Sequence, residues 1–206
     1  MKKHLFAIAL ACACSLPLGA AAGFVEGANA YNAKNYALAL KEVLPLATAG
    51  HADAQHLLGV MHYVGRGVAR DFKLALQWHR KAAQQGKADA QYVVGAMYYT
   101  GNAVPKDQMQ ALQWFRKAAE KGHADAQHTL GLMYCYRMPG VRHDVVIAYM
   151  LYNLSAANGN KHALAQRSAI TRRMTQEQID EAQSLSRTWK PGTPLPTKSL
   201  TGGDSA

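Results

Sequence analysis

Histidine is the residue type whose placement most invites chemistry. His51 and His123 recur in register, as do His56 and His128, with Asp53 and Asp125 beside them. Imidazoles next to carboxylates are metal-ligand chemistry, yet the stretch from His51 to His56 crosses a helix start and no Cys or Glu completes a zinc set. The matching positions in the middle of the chain are Lys87 and Tyr92. The sequence therefore predicts no metal and no cofactor, and reads these histidines as surface positions of a repeat. Cys135 follows His128 at i, i+7 on one helix face, which allows a nucleophilic dyad; a bland, partly buried thiol is the reading favoured. Ser155 and Ser168 lack a G-x-S-x-G elbow, and the third neighbour of Ser168 is Thr171, not lysine. Gly65-Arg66-Gly67 is too short to cradle a phosphate and no strand precedes it. No acid, base and nucleophile converge, so no catalytic residue is assigned and no enzymatic activity is expected.

The elements that would position these residues follow from an internal repeat. Ala52-Asp53-Ala54-Gln55 returns as Ala88-Asp89-Ala90-Gln91 and as Ala124-Asp125-Ala126-Gln127, a step of 36 residues each time. Gly59, Gly95 and Gly131 keep that step, and Ala39, Ala75, Ala111 and Ala148 follow at 36, 36 and 37. Each period predicts two helices. In the first, Ala54, Leu57, Leu58 and Met61 share a face at i, i+3, i+4, i+7 spacing. In the second, Leu74, Ala75, Trp78 and Ala82 form the stripe, and Trp78 and Trp114 read as core packing. Asp71, Asp107 and Asp144 stand where a short carboxylate caps a helix start, and Gly86 and Gly122 where a left-handed cap ends one. A glycine inside a helix costs about 1 kcal/mol against alanine, so three at one register predict close approach of a neighbouring helix. The paired alanines 82–83, 118–119 and 156–157 predict the same on the second helix. Neither helix can bury its stripe alone, which makes stacking of units obligatory.

The two ends read differently. Lys2, Lys3 and His4 precede an apolar run from Leu5 to Leu16 and then Gly19-Ala20-Ala21-Ala22, the pattern of a signal peptide over residues 1–22. Twelve apolar residues fall short of the roughly 20 that a membrane-spanning helix needs. Cleavage after Ala22 and a periplasmic or secreted destination are expected; an outer-membrane lipoprotein modified at Cys12 or Cys14 is the lesser alternative. The chain carries a formal net charge of +10. Exported, it is not expected to meet nucleic acid; weak contact with an anionic envelope surface stands against a merely solvated basic surface. Cys135 is the one cysteine left after cleavage, so no intramolecular disulfide can form. Residues 23–50 predict an N-terminal helix pair in which Pro45 should kink or shorten the second helix. Residues 160–190 predict a capping pair, with Thr175 and Gln178 as a capping box. The proline- and glycine-containing tail 191–206 is expected to be disordered.

The string A-D-A-Q-x-x-x-G-x-M-Y-x-x-G, followed by D and A-L-Q-W-x-R-K-A-A-x-x-G, resembles the Sel-one-like repeat (SLR), a longer relative of the tetratricopeptide repeat. Three units match, 52–86, 88–122 and 124–159, within residues 51–159. The loop pattern G-x-G-V-x-x-D is intact at Gly65 to Asp71, whereas Ala103 replaces a glycine in the second copy and the third reads Arg137-Met138-Pro139-Gly140-Val141. The resemblance implies an all-α protein, an α-solenoid of about five antiparallel helix pairs with a concave face used for binding other proteins. Some exported relatives carry a disulfide in each repeat and are linked to penicillin binding or hydrolysis. This chain lacks those paired cysteines, which leaves a cell-envelope enzyme, such as a β-lactam hydrolase, as the alternative to an interaction scaffold.

A second stripe beside the apolar one gives the candidate binding face. It carries Asp53, His56, Val60 and Tyr63, then Asp89, Tyr92, Ala96 and Tyr99, then Asp125, His128, Leu132 and Cys135. Spacings of 3, 4 and 3 keep each set on one helix side. Stacked units would align the sets as a ladder; resemblance to tetratricopeptide proteins implies that this side is concave and meets a protein or peptide partner. Tyrosine suits such an interface, and it equally suits sealing one repeat against the next.

Overall fold

The computed structural model describes residues 18–201 apart from Pro139. The expected signal peptide up to residue 17 and the last residues of the tail, 202–206, lie outside the described residues. Among those described, the chain forms ten α-helices: α1 Leu18–Asn32, α2 Tyr36–Thr48, α3 Ala52–Val64, α4 Phe72–Gln84, α5 Ala88–Thr100, α6 Gln108–Ala119, α7 Ala124–Cys135, α8 Val145–Ala157, α9 Lys161–Thr171 and α10 Gln176–Thr188. Each of α2 to α8 packs on the helix before it and the helix after it, so helix pairs stack into an all-α solenoid.

Local signals place the helix ends. Asp71, Asp107 and Asp144 accept hydrogen bonds from the first-turn amides of Leu74, Gln110 and Ile147 at 2.9, 2.9 and 3.0 Å. His51 and His123 do the same for α3 and α7 through Nδ1, at 3.3 and 3.2 Å from the amides of Ala54 and Ala126. They are partly buried helix caps, a role beyond the plain surface positions expected of them. Gly86 and Gly122, with φ of 88° and 84°, close the second helices as expected.

The three helical glycines each receive a ring from the second helix of their own pair. A Cβ built at Gly59 would lie 2.8 Å from the His79 ring, one at Gly95 2.8 Å from Phe115, and one at Gly131 2.5 Å from Tyr152. The ring at this register fills the centre of the core, and the neighbouring tryptophan packs against the core from its edge. His79, Phe115 and Tyr152 are buried, while Trp78 and Trp114 stay half-buried with the ammonium groups of Lys81 and Lys117 at 4.1 and 4.4 Å from their rings. Gln55, Gln91 and Gln127 are buried too, donating to the carbonyls of Ala47, Ala83 and Ala119 at 3.2, 3.1 and 3.2 Å. Each glutamine thus ties a first helix to the end of the preceding pair.

Several expectations are corrected. Pro45 does not shorten α2, which runs to Thr48; it sits in the exposed last turn, where burial of Val43 and Ala47 holds the helix on both sides. The alanine pairs 82–83 and 118–119 are buried, but Ala157 is exposed because the last units pack differently. There α9 and α10 both pack on α8. The tail is not loose over its described part. After α10 it crosses the second helices: Leu195 is buried, its amide donates to Glu120 Oε1 at 3.1 Å and its carbonyl accepts from Arg116. Further on, the amide of Ser199 donates to Asp144 Oδ2 at 2.9 Å and that of Thr201 to Glu181 Oε2 at 2.9 Å. Carboxylates at the end of α6, at the start of α8 and within α10 supply acceptors that composition alone does not reveal.

Candidate functional site

The stripe residues on the first helices α3, α5 and α7 are tied to neighbouring repeats, rung by rung. At the first rung, Lys87 Nζ lies 2.8 Å from Asp53 Oδ1 and 3.0 Å from Asp89 Oδ2. Asp89 Oδ1 is in turn 3.5 Å from His123 Nε2, and Asp125 accepts from Asn160 at 2.8 Å. In every case the residue that starts one first helix reaches back to the aspartate of the previous one. The hydrogen bond to Asp53 leads in raising the Lys87 ammonium above its ordinary range. Burial would raise Asp89, but its hydrogen bond to Lys87 and the nearby cations together pull its carboxyl below the usual range.

The second rung holds rings. His56 lies 5.0 Å from His79, Tyr92 stacks on His123 at 4.8 Å and leans on Phe115 at 5.6 Å, and His128 lies 6.0 Å from Tyr152. Burial lowers the pKa of His56, His79 and His128; His79, with His56 adding repulsion, falls to about 3. Burial likewise raises the Tyr92 hydroxyl. The third rung, Val60, Ala96 and Leu132, is partly exposed throughout. At the fourth, Tyr63 meets Phe72 edge-on at 5.1 Å and accepts from Asn102 at 3.2 Å, while Tyr99 has Lys106 Nζ at 5.5 Å from its ring. Cys135 completes this rung, half-buried, and burial pushes its thiol up, the reverse of what an activated nucleophile needs. His128 and Cys135 share a helix face, yet the polar side chain beside the Cys135 thiol is Tyr152, on α8.

Two features of this face escape the sequence reading. One is the buried ring set His79, Phe115 and Tyr152, whose only sequence signal is its step of 36 and 37 behind the more conspicuous tryptophans. The other is a half-open cavity between α3 and α5, lined by Val60, Tyr63, His79, Val93, Ala96 and Met97 among others. Among the described residues no group of three or more His, Cys, Asp or Glu is placed to hold a metal.

With repeat boundaries and packing in view, the family model of the Sel1 repeat matches residues 52–87, 88–123 and 124–160. The chain belongs to the Sel1 repeat family. A Sel1 repeat protein from Oxalobacter formigenes superposes with a TM-score of 0.67 at 32% identity, over 70% of this chain and 59% of that one. An SLR-fold protective antigen present in uropathogenic Escherichia coli strains gives a TM-score of 0.71 at 30% identity, over 82% of this chain and 38% of that one. The aligned part thus spans less than two thirds of either solved structure. No curated protein matches the chain. Sel1 repeat proteins are generally protein-interaction scaffolds.

Proposed function

We propose that this protein is an exported scaffold that binds a protein or peptide partner along the ladder of its first helices. The observation that carries the reading is the third rung: Val60, Ala96 and Leu132 repeat an apolar, partly exposed position along the stack, with acidic and tyrosine groups beside it. Apolar centre with polar and aromatic surroundings is the composition of a recognition surface. The signal-like N-terminus supports export, and cleavage after Ala22 would leave α1 from Gly23 onward. A photo-reactive amino acid placed at Val60 or Ala96 in the native host should give a discrete cross-linked partner, whereas one at exposed Gln113 on α6 should not. Cross-linking only from Gln113 would move the binding face to the other helices. N-terminal sequencing of the envelope-derived protein tests export: an intact Met1 overturns it.

A further inference from the structure

The loops that follow the first helix of each pair, residues 33–35, 65–71, 101–107, 136–144 and 172–175, lie side by side along one edge of the solenoid. A contact joins each to the next. Arg66 donates to the Tyr31 hydroxyl at 3.3 Å and Asn102 to that of Tyr63 at 3.2 Å. Gly140 lies against the Met109 side chain, and Arg173 shares a small cavity with Tyr136.

This edge is basic. Its loops carry eight lysines and arginines against three aspartates. Asp71 and Asp107 turn their carboxylates to the amides of Leu74 and Gln110, and Asp144 is buried. Glu177, in the first turn of α10, adds one carboxylate more. Lys34, Arg66, Arg70, Lys106, Arg172 and Arg173 are all exposed, and among the described residues none of them forms an ion pair. Neutral rings steady some of them without cancelling charge: Arg66 lies 5.7 Å from the ring of Tyr36 and Arg70 5.4 Å from that of Phe72. The opposite edge is balanced. There Lys87, Lys121, Lys161 and Lys190 are offset by Asp53, Asp89, Glu120 and Asp125, and Lys87 is ion-paired with two of these.

Exposed apolar groups stand among the cations of the basic edge. Val64, Met109 and Tyr136 are 45, 48 and 62% exposed. Cations interleaved with tyrosine and aliphatic side chains suit the headgroup boundary of a bilayer, where charge meets lipid phosphate and the apolar groups enter the acyl margin. A soluble polyanion would engage the cations and leave the apolar groups in water. We propose that this edge is a docking surface for a membrane rich in anionic phospholipid. Each loop supplies only one or two cations, and the stacking of repeats sums them along one line. The helices run from edge to edge, so a chain docked this way stands its helices up from the bilayer and leaves the ladder of first helices open to solvent. Docking does not depend on the scaffold reading: it needs the edge alone.

The test is co-sedimentation of the full chain with vesicles of equal parts phosphatidylglycerol and phosphatidylcholine, set against phosphatidylcholine alone. Binding about tenfold or more tighter to the anionic vesicles is expected. It should be lost at about 1 M salt, where charge is screened within about 3 Å. Arg70→Gln combined with Lys106→Gln and Arg172→Gln should weaken binding on the order of a hundredfold, with the melting temperature unchanged. Lys121→Gln combined with Lys161→Gln and Lys190→Gln removes the same charge from the opposite edge and should leave affinity within about threefold, because the field fades within a Debye length. Tyr136→Ser should weaken vesicle binding and leave binding to heparin, a soluble polyanion, unchanged. Equal losses in the two triple variants would show a diffuse charge effect and overturn the proposal. Binding that both retain, with no salt dependence, would come from elsewhere, the apolar run Leu5 to Leu16 included, and overturns it too. Heparin binding as tight as vesicle binding, with Tyr136→Ser altering neither, would assign the edge to a soluble polyanion and exclude the membrane.

Discussion

Tyr92→Ala separates the two roles open to tyrosines on this face. The ring is half-buried between Phe115 and His123, at 5.6 and 4.8 Å. A buried aromatic covers about 150–250 Å², so half a ring is about 100 Å², or about 2.5 kcal/mol at 25 cal/mol per Å². Two ring pairs add about 0.5–1.5 kcal/mol each. Since unfolded chains already bury some of that surface, a loss of about 3–4 kcal/mol is expected. In a protein of this size that lowers the melting temperature by roughly 6–15 °C. The stack also steadies His123, which caps α7, so the damage should spread across the repeat boundary. Thermal unfolding followed by circular dichroism measures it. Tyr92→Phe keeps both ring contacts and loses the hydroxyl's bond to Thr129, so it should stay near wild type. Adding Tyr99→Ala should cost less than the two separate effects summed, because Tyr99 also leans on Phe115, at 6.4 Å. A Tyr92→Ala variant melting within 2 °C of wild type would show that the ring does not seal the repeats and stands free for a ligand.

Three further outcomes are expected. Ala103 adopts φ of 72° in the loop position that Gly67 fills one repeat earlier; Ala103→Gly removes a left-handed penalty of about 1–2 kcal/mol against about 0.4–1 kcal/mol of unfolded-state entropy, so the melting temperature should rise by a degree or more, and a fall would contradict the strain. His79 is held neutral in the fold, with its pKa lowered from 6.5 to about 3, so the unfolded chain takes the proton first. Its contribution is complete above pH 6.5 and is lost as pH falls toward 3, by about 1.4 kcal/mol per unit. His79→Phe should therefore flatten the acid limb of denaturant-measured stability, and parallel curves for the two proteins would refute the assignment. The amide of Leu195, bonded to Glu120 beneath the returning tail, should exchange with solvent far more slowly than a random coil, and coil-like exchange would mean that the tail does not dock.

The repeat, the helix count, the aspartate caps and the closing glycines were all written in local spacing. Their causes act within a turn or two of the chain: a carboxylate reaches amides two or three residues on, and a glycine at Gly86 or Gly122 needs nothing distant to adopt positive φ. The ladder residues were legible as well, because a period of 36 aligns them before any contact is known. What each one touches was not. Asp53 meets Lys87 and Asp125 meets Asn160 across a repeat boundary, and such partners depend on how the units stack. The same holds for the choice of His79, Phe115 and Tyr152 over the tryptophans, since it is the backbone of a glycine on another helix that selects the ring. The tail shows the limit most plainly: its prolines and glycines read as disorder, and only folding brings Glu120, Asp144 and Glu181 to where its amides pass. Local propensity is fixed by neighbours in sequence, whereas buried hydrogen bonds, ring stacking and the cavity at Ala96 depend on distances that exist only once the repeats have packed.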